Sequence, residues 1–207
     1  DGIISIPDNS GELTIEVGAT SDEGSSDSFI DGYVRKIGIT NFTFPTGDGE
    51  RWARIRISDM GSGSGDFRAR YFYEDYGVLI PVSGTLDHVS FTEYWDLSRP
   101  SGTATPKATL YWEDTASSAI DDPARLVVAH YRSGVWQDMG SSAHSWTGVG
   151  ASPGYVTSNV NFSSFSPVTF GSTSEEFNPL PVELIDFEVQ AIDNSEVLAT
   201  WTTLSES

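Results

Sequence analysis

Acids beside aromatics are the residues whose types and spacing first suggest chemistry. Glu93 and Asp96 flank Tyr94-Trp95, and Glu113-Asp114 follows Tyr111-Trp112. Glycoside hydrolysis needs two carboxyls converging among aromatic rings, one to protonate the leaving oxygen and one to act as base or nucleophile. The pattern is weak here. Asp plus Glu number 30 against 11 Lys plus Arg, a net charge of −19, and acids at strand ends in such a chain are ordinarily solvated. The histidines, His88, His130 and His144, fall in no His-Glu-x-x-His pattern and share no metal-ligand spacing. His130 lies inside an expected strand and reads as a hydrogen-bonded structural group, and His144 as a solvated loop residue. Cysteine is absent, which removes thiol chemistry and Cys-type zinc sites. No Gly-x-Ser-x-Gly elbow occurs, and Gly47-Asp-Gly lacks the Lys of a phosphate-cradling loop. The expectation is a non-enzyme with no catalytic residues and no cofactor.

Other uses of charge and aromatics remain open. Structural calcium would need hard oxygen ligands converging from loops, with Asp22, Glu23 and Asp27, or Asp121 and Asp122, as candidates. No segment has EF-hand spacing. Arg51, Arg54, Arg56, Arg68 and Arg70 gather five of the 11 basic residues into residues 51–70. If the strands carrying them pair, four point from one face, together with Trp52 and Phe72. Like charges opposite one another destabilise a sheet. Either carboxylates from a neighbouring strand or module offset them, or an acidic partner does: a polyanionic glycan or another copy of the chain. Trp136 and Trp146 lie near turns and are candidate glycan contacts, or plugs at a sandwich edge. Trp95, Trp112 and Trp201 alternate inward and read as core.

These residues must be positioned by strands. Trp52-Ala-Arg-Ile-Arg-Ile puts Ala53, Ile55 and Ile57 on one face. Asp66-Phe-Arg-Ala-Arg-Tyr-Phe-Tyr puts Phe67, Ala69, Tyr71 and Tyr73 opposite Arg68 and Arg70. Ala108, Leu110 and Trp112 share a face in the next such run. Leu126-Val-Val-Ala-His-Tyr turns through Arg132-Ser-Gly into Val135-Trp-Gln, a hairpin signal. Further strands are expected over 33–40, 89–95, 155–161 and 166–171. Turn residues break the alternation about every 8–12 residues, as in sandwiches and barrels. The one helical candidate, residues 116–122, is too short and polar to nucleate alone. The fold class is therefore all-β: an antiparallel sandwich over 21–175, a Pro-rich junction over 176–181, and the first strands of a second module over 182–207. Residues 1–20 read as a strand pair, either the last rungs of an upstream repeat array or the first hairpin of the sandwich. The opening residues read as a cut or processed end.

Several motifs carry a resemblance. Asn178-Pro-Leu-Pro-Val-Glu-Leu, with Phe187 and Trp201-Thr-Thr-x-Ser-Glu, resembles the opening of the immunoglobulin-like module that precedes the C-terminal sorting domain in bacterial surface proteins exported by type IX secretion. Phe29-Ile-Asp-Gly-Tyr-Val-Arg-Lys-Ile-Gly, Phe42-Thr-Phe-Pro-Thr-Gly-Asp-Gly, Leu86-Asp-His-Val-Ser and Ser164-Phe-Ser-Pro-Val-Thr-Phe-Gly-Ser are similar to the region found before that module. The likeness covers residues 28–207. It implies a secreted, cell-surface, adhesin-like protein and carries no catalytic set. It also makes Thr115, in Asp114-Thr-Ala, a candidate O-glycosylation site.

The resulting expectation is a non-enzymatic structural or adhesive module outside the cell. Its partners would be neighbouring modules, other copies of itself, or glycans. The alternatives are a filament subunit assembled by strand complementation and a carbohydrate-binding module. The strong negative charge disfavours nucleic acid, and no apolar run reaches the length of about 18 residues that membrane insertion needs.

Overall fold

The structure, a computed structural model, describes residues 2–6, 11–145, 153–178, 184–191 and 197–203. Its strands in chain order are β1 Ile4–Ser5, β2 Glu12–Ile15, β3 Ile30–Asp31, β4 Tyr33–Ile37, β5 Phe42–Phe44, β6 Thr46–Asp48, β7 Arg51–Trp52, β8 Ile55–Ser58, β9 Gly65–Phe72 and β10 Val82–Ser83. They continue with β11 His88–Val89, β12 Tyr94–Gly102, β13 Lys107–Trp112, β14 Leu126–Arg132, β15 Val135–Asp138, β16 Ala143–Ser145, β17 Gly154–Thr157, β18 Pro167–Ser172, β19 Leu184–Ala191 and β20 Val197–Thr203. A single 3-10 turn, Pro123–Arg125, precedes β14 and is capped by the Asp122 side chain. The 116–122 stretch is a set of turns, as its polarity and shortness require.

The chain is an all-β sandwich. A nine-stranded sheet runs β10-β15-β14-β18-β12-β9-β4-β2, with β11 also on β18. A five-stranded sheet runs β16-β17-β13-β8-β5, and a small sheet β1-β3-β6-β7 adjoins them. The two large sheets close on one core. Val34, Phe67, Ala69, Tyr71, Trp95, Leu97, Val128, Val168 and Phe170 come from the first, and Phe42, Phe44, Ile55, Ile57, Leu110, Trp112 and Val156 from the second. The alternation in β8, β9 and β13 puts those residues inside, as their period of two requires. The β14–β15 hairpin turns at Ser133 and Gly134, both with positive φ (54° and 85°). Two such residues suit the tight turns that match strand twist.

Three expectations change. β8 and β9 do not pair: β8 lies between β13 and β5, β9 between β12 and β4. The Met60–Gly65 loop therefore crosses from one sheet to the other. Tyr73 falls just beyond β9 and is exposed rather than inward. The strand expected over 89–95 is broken, because β11 ends at Val89 and β12 begins at Tyr94.

The two strands expected in residues 1–20 form as β1 and β2, but not as a hairpin. β1 runs parallel to β3, and β2 runs parallel to β4 at the edge of the nine-stranded sheet. At the other end, β19 and β20 pair antiparallel with each other. No described helix is long and apolar enough to cross a membrane.

Candidate functional site

The arginines that the sequence gathers onto one face lie on two. Because β8 and β9 belong to sheets packed face to face, the side chains opposite their core-facing sides point away from each other. Arg68, Arg70 and Phe72 lie on the outside of the nine-stranded sheet. Arg54 and Arg56 lie on the outside of the five-stranded sheet, while Arg51 and Trp52 sit on β7 in the small sheet.

The nine-stranded face neutralises its cations internally. Arg35 and Arg68 are direct cross-strand neighbours, a repulsive placement on its own. Arg35 is bidentate to Asp66, at 2.7 and 2.6 Å, and its third contact is Glu12 at 2.9 Å. Glu12 also reaches Arg68 at 3.3 Å, so one carboxylate bridges both cations. The Arg35 hydrogen bonds hold the Asp66 carboxyl below its ordinary range. The Arg68 guanidinium lies 3.5 Å over the Tyr33 ring, and the Tyr33 hydroxyl donates to Asp96 at 2.7 Å. Arg70 stands across from Asp96, 3.9 Å from Asp31 and 4.8 Å from the Phe72 ring. Phe72 itself stacks on Tyr94 at 4.7 Å. Of the two readings of the arginines, carboxylates from neighbouring strands describe this face.

The five-stranded face is different. Arg54 is paired, donating to Glu23 at 2.6 Å and to Glu113 at 3.0 Å, with Trp52 and Tyr111 rings each 4.4 Å from its guanidinium. Arg56 is half-buried between its ladder partners Thr43 and Thr109, and among the described residues its side chain has no hydrogen bond, ion pair or ring contact. It borders two shallow grooves. One, of about 270 Å³, is lined by Arg56, Ser58, Thr109, Tyr111, Tyr155 and Thr157, with Ala143 at its rim. The other, of about 220 Å³, includes Asn41, Thr43 and Glu23. The Tyr111 and Tyr155 rings are 5.8 Å apart, and the Thr109 and Thr157 hydroxyls meet at 2.8 Å.

A cleft of about 190 Å³ lies at one end of the sandwich. β12 and β13 are consecutive strands in opposite sheets, joined at residues 103–106. The residue before β12 and the residue after β13 therefore come to the same end. These are Glu93 and Glu113, and both line the cleft with Arg51, Trp52, Tyr71 and Tyr111. Glu93 is 2% exposed. Its Oε2 accepts from the Tyr71 hydroxyl at 2.8 Å, while Oε1 has no partner among the described residues. Burial pushes the Glu93 carboxyl up to about 7, opposed by the Tyr71 hydroxyl on Oε2 and by the nearby Ser118 hydroxyl, which lines the same cleft. Burial also raises Glu113, against the pull of Arg54. The Ser117 hydroxyl holds Asp114 below its ordinary value. Sequence spacing names these acids but does not bring them together, since which sheets hold β12 and β13 is a tertiary fact.

The remaining candidates fall as follows. Trp136 is a correction: it is 0% exposed and presents no ring face to a sugar. The segment after β9 folds back over the nine-stranded sheet, and Trp136 packs beneath it with Leu86, Val89, Val127, Leu79 and Tyr76. Its Nε1 donates to the Val78 carbonyl at 2.7 Å. Trp146 lies outside the described residues, as do the side chain of Trp201 and residues 179–183, which hold the end of the 176–181 junction and the start of the next module. Thr115 is half-buried in the turn after β13. Asp22, Glu23 and Asp27 are exposed. Asp122 Oδ1 accepts from Ala124 N at 3.0 Å, and Asp121 Oδ1 accepts from Asn178 N. Among the described residues, no group of three or more His, Asp and Glu is placed to hold a metal ion. His130 is buried, bonds Ser166 Oγ at 2.8 Å, and is pushed down to about 4 by burial. His88 is buried between Asp87 and the Asn178 carbonyl, and His144 is exposed on β16.

Comparison with protein-family models, with curated proteins and with solved structures finds no match to this chain.

Proposed function

We propose that this chain is a non-enzymatic adhesive module of a secreted bacterial surface protein, working outside the cell, and that it meets its partner on the outer face of the five-stranded sheet. The observation that carries the reading is Arg56. A half-buried guanidinium with no partner among the described residues, on a flat polar face beside two tyrosines, is a receptor for a planar anion. Its forked donors match a carboxylate bidentately, and Tyr111 and Tyr155 supply rings against which a sugar can rest. The occupant is a carboxylate-bearing glycan. The motif resemblance to type IX-exported surface proteins supports the location.

Surface plasmon resonance over immobilised polygalacturonate, with neutral dextran as reference, tests this. Binding is expected for the native chain, with a loss of about tenfold for Arg56→Ala and no change for Arg132→Ala at the exposed end of β14. Equal losses in both variants would mean diffuse electrostatic attraction and would overturn the reading.

A second reading, a filament built by strand complementation, is favoured by the β19–β20 ribbon. Val189 and Val197 are 55% and 65% exposed on one face, and Leu198 is 46% exposed on the other. Two strands do not make a core, so cover from another module or another copy suits this ribbon. Light scattering decides it: monodisperse monomers at high concentration, unchanged on deletion of residues 179–207, rule the filament out.

A further inference from the structure

The Glu93 cleft holds a group that the fold does not explain. A buried acceptor without a donor is costly, and native proteins keep few of them. Glu93 Oε1 is such an acceptor among the described residues, and Glu93 belongs to the lining of the cleft. The carboxyl is held in place: the Tyr71 hydroxyl fixes Oε2, and Tyr71 is itself clamped in the core, 5.1 Å from the Trp95 ring. A positioned, unsatisfied acceptor beside aromatic walls is the arrangement by which pockets orient a ligand.

The surroundings select the class of ligand. Arg51 lines the cleft, with its guanidinium 3.6 Å over the Tyr73 ring, and opposes an incoming cation. Glu113 and Asp114 in the same lining oppose an anion. A neutral, hydroxyl-rich molecule avoids both penalties. At about 190 Å³ the space is smaller than the roughly 300–1,000 Å³ typical of drug-sized ligands, so it suits one ring.

We propose that this cleft binds one ring of a neutral sugar, with a ring hydroxyl bonded to Glu93 Oε1 and the apolar face against the wall formed by Trp52 and Tyr111. The carboxyl accepts from that hydroxyl when ionised and donates to it when protonated. The site is separate from the Arg56 grooves, although Tyr111 borders both, and it stands or falls independently of the acidic-glycan reading.

The test is a nuclear magnetic resonance titration of the native chain with neutral oligosaccharides of glucose, mannose, xylose and N-acetylglucosamine, up to about 10 mM. At least one is expected to shift the Trp52 indole N–H saturably. At about pH 8.5, where the carboxyl is ionised and accepts, Glu93→Gln, which keeps the volume but puts a donor in place of that acceptor, is expected to weaken that sugar about tenfold. Arg56→Ala is expected to leave it unchanged. If no sugar moves the Trp52 signal, or if Glu93→Gln binds as tightly as the native chain, the proposal is overturned. If the variant does not fold, Glu93→Asp decides instead: withdrawing the carboxyl by one methylene is expected to weaken the same sugar, and unchanged binding overturns the proposal. Loss on Arg56→Ala without loss on Glu93→Gln assigns binding to the other face.

Discussion

The two large sheets both present arginines to solvent, and they treat them differently. On the nine-stranded sheet Arg35, Arg68 and Arg70 sit among Glu12, Asp31, Asp66 and Asp96, with Tyr33 and Phe72 under the guanidiniums. Each cation on that face has a carboxylate within 4 Å. On the five-stranded sheet Arg54 is satisfied while Arg56, two residues on, has no partner among the described residues. The cleft at the edge of that sheet repeats the pattern with the opposite charge, since Glu93 keeps a free acceptor beside a bonded one. In a chain of net charge −19 carboxylates are abundant, so an unpaired arginine is not for want of acids. The difference separates charges that support the fold from charges left available to a ligand.

The largest effect that sharpens this contrast belongs to Arg35. Arg35→Ala removes three hydrogen bonds and leaves Asp66, whose side chain is 8% exposed, without a cation and with the Ser101 hydroxyl as its remaining side-chain donor. Breaking one partner of such a pair leaves an uncompensated buried charge, and the loss is about 3 kcal/mol after allowing for the half-exposed arginine. The pH signature follows from the direction of the shift. Asp66 is held low in the folded state, so its contribution is present above the ordinary carboxylate range and is lost as pH falls through the depressed value. Urea unfolding of both proteins at neutral and acid pH reads it, and the gap between them should shrink in acid. A variant within about 0.5 kcal/mol of native stability would show that the nine-stranded face is no more structural than the other.

How much of this was legible beforehand depends on range. Ile55 and Ile57, Phe67 and Ala69, Ala108 and Leu110 declare their buried faces by local alternation, and Ser133-Gly134 declares its turn. Both depend on neighbours along the chain. The identity of the pairing strand does not. The Gly/Ser run before Gly65 is flexible enough for a hairpin or a crossing, and nothing local distinguishes them, so the arginines were gathered onto one face that does not exist. Trp136 looked available because the segment that covers it, around Val78 and Leu79, is more than fifty residues earlier in sequence. Glu93 and Glu113 stand beside aromatics in the sequence, but their convergence follows only once β12 and β13 are assigned to opposite sheets.

A smaller effect tests the cleft. Glu93 is raised by burial to about 7 from an ordinary 4.5. A carboxyl raised in the folded state stabilises below its unfolded value and loses that contribution as pH rises through the folded one. Between about pH 5 and 7 the native chain should therefore lose on the order of 2 kcal/mol through this group. Glu93→Gln, which cannot ionise, lacks this contribution, so the stability gap between the two proteins should change by that amount over the interval. His130 works the other way and elsewhere: lowered to about 4 from 6.5, it costs stability as pH falls through that interval, so the two slopes separate by mutation. A stability gap between native and Glu93→Gln that stays constant from pH 5 to 7 would place Glu93 among the solvated acids and erase its contrast with the paired face.

The smallest stability effect carries the most weight for the comparison. Arg56 has no hydrogen bond, ion pair or ring contact among the described residues, so Arg56→Ala removes only the packing of its aliphatic stem against Thr43 and Thr109. Surface changes of that kind fall within about 0.5 kcal/mol, and relief of an uncompensated half-buried charge could make the variant slightly more stable. The melting curve should therefore barely move, whereas Arg35→Ala shifts it strongly, even though each removes one guanidinium from the outside of a sheet. Calorimetry of the two variants under one buffer checks it. A loss for Arg56→Ala as large as that for Arg35→Ala means that Arg56 supports the fold as the nine-stranded arginines do, and the five-stranded face then loses its claim to be the side kept open for a partner.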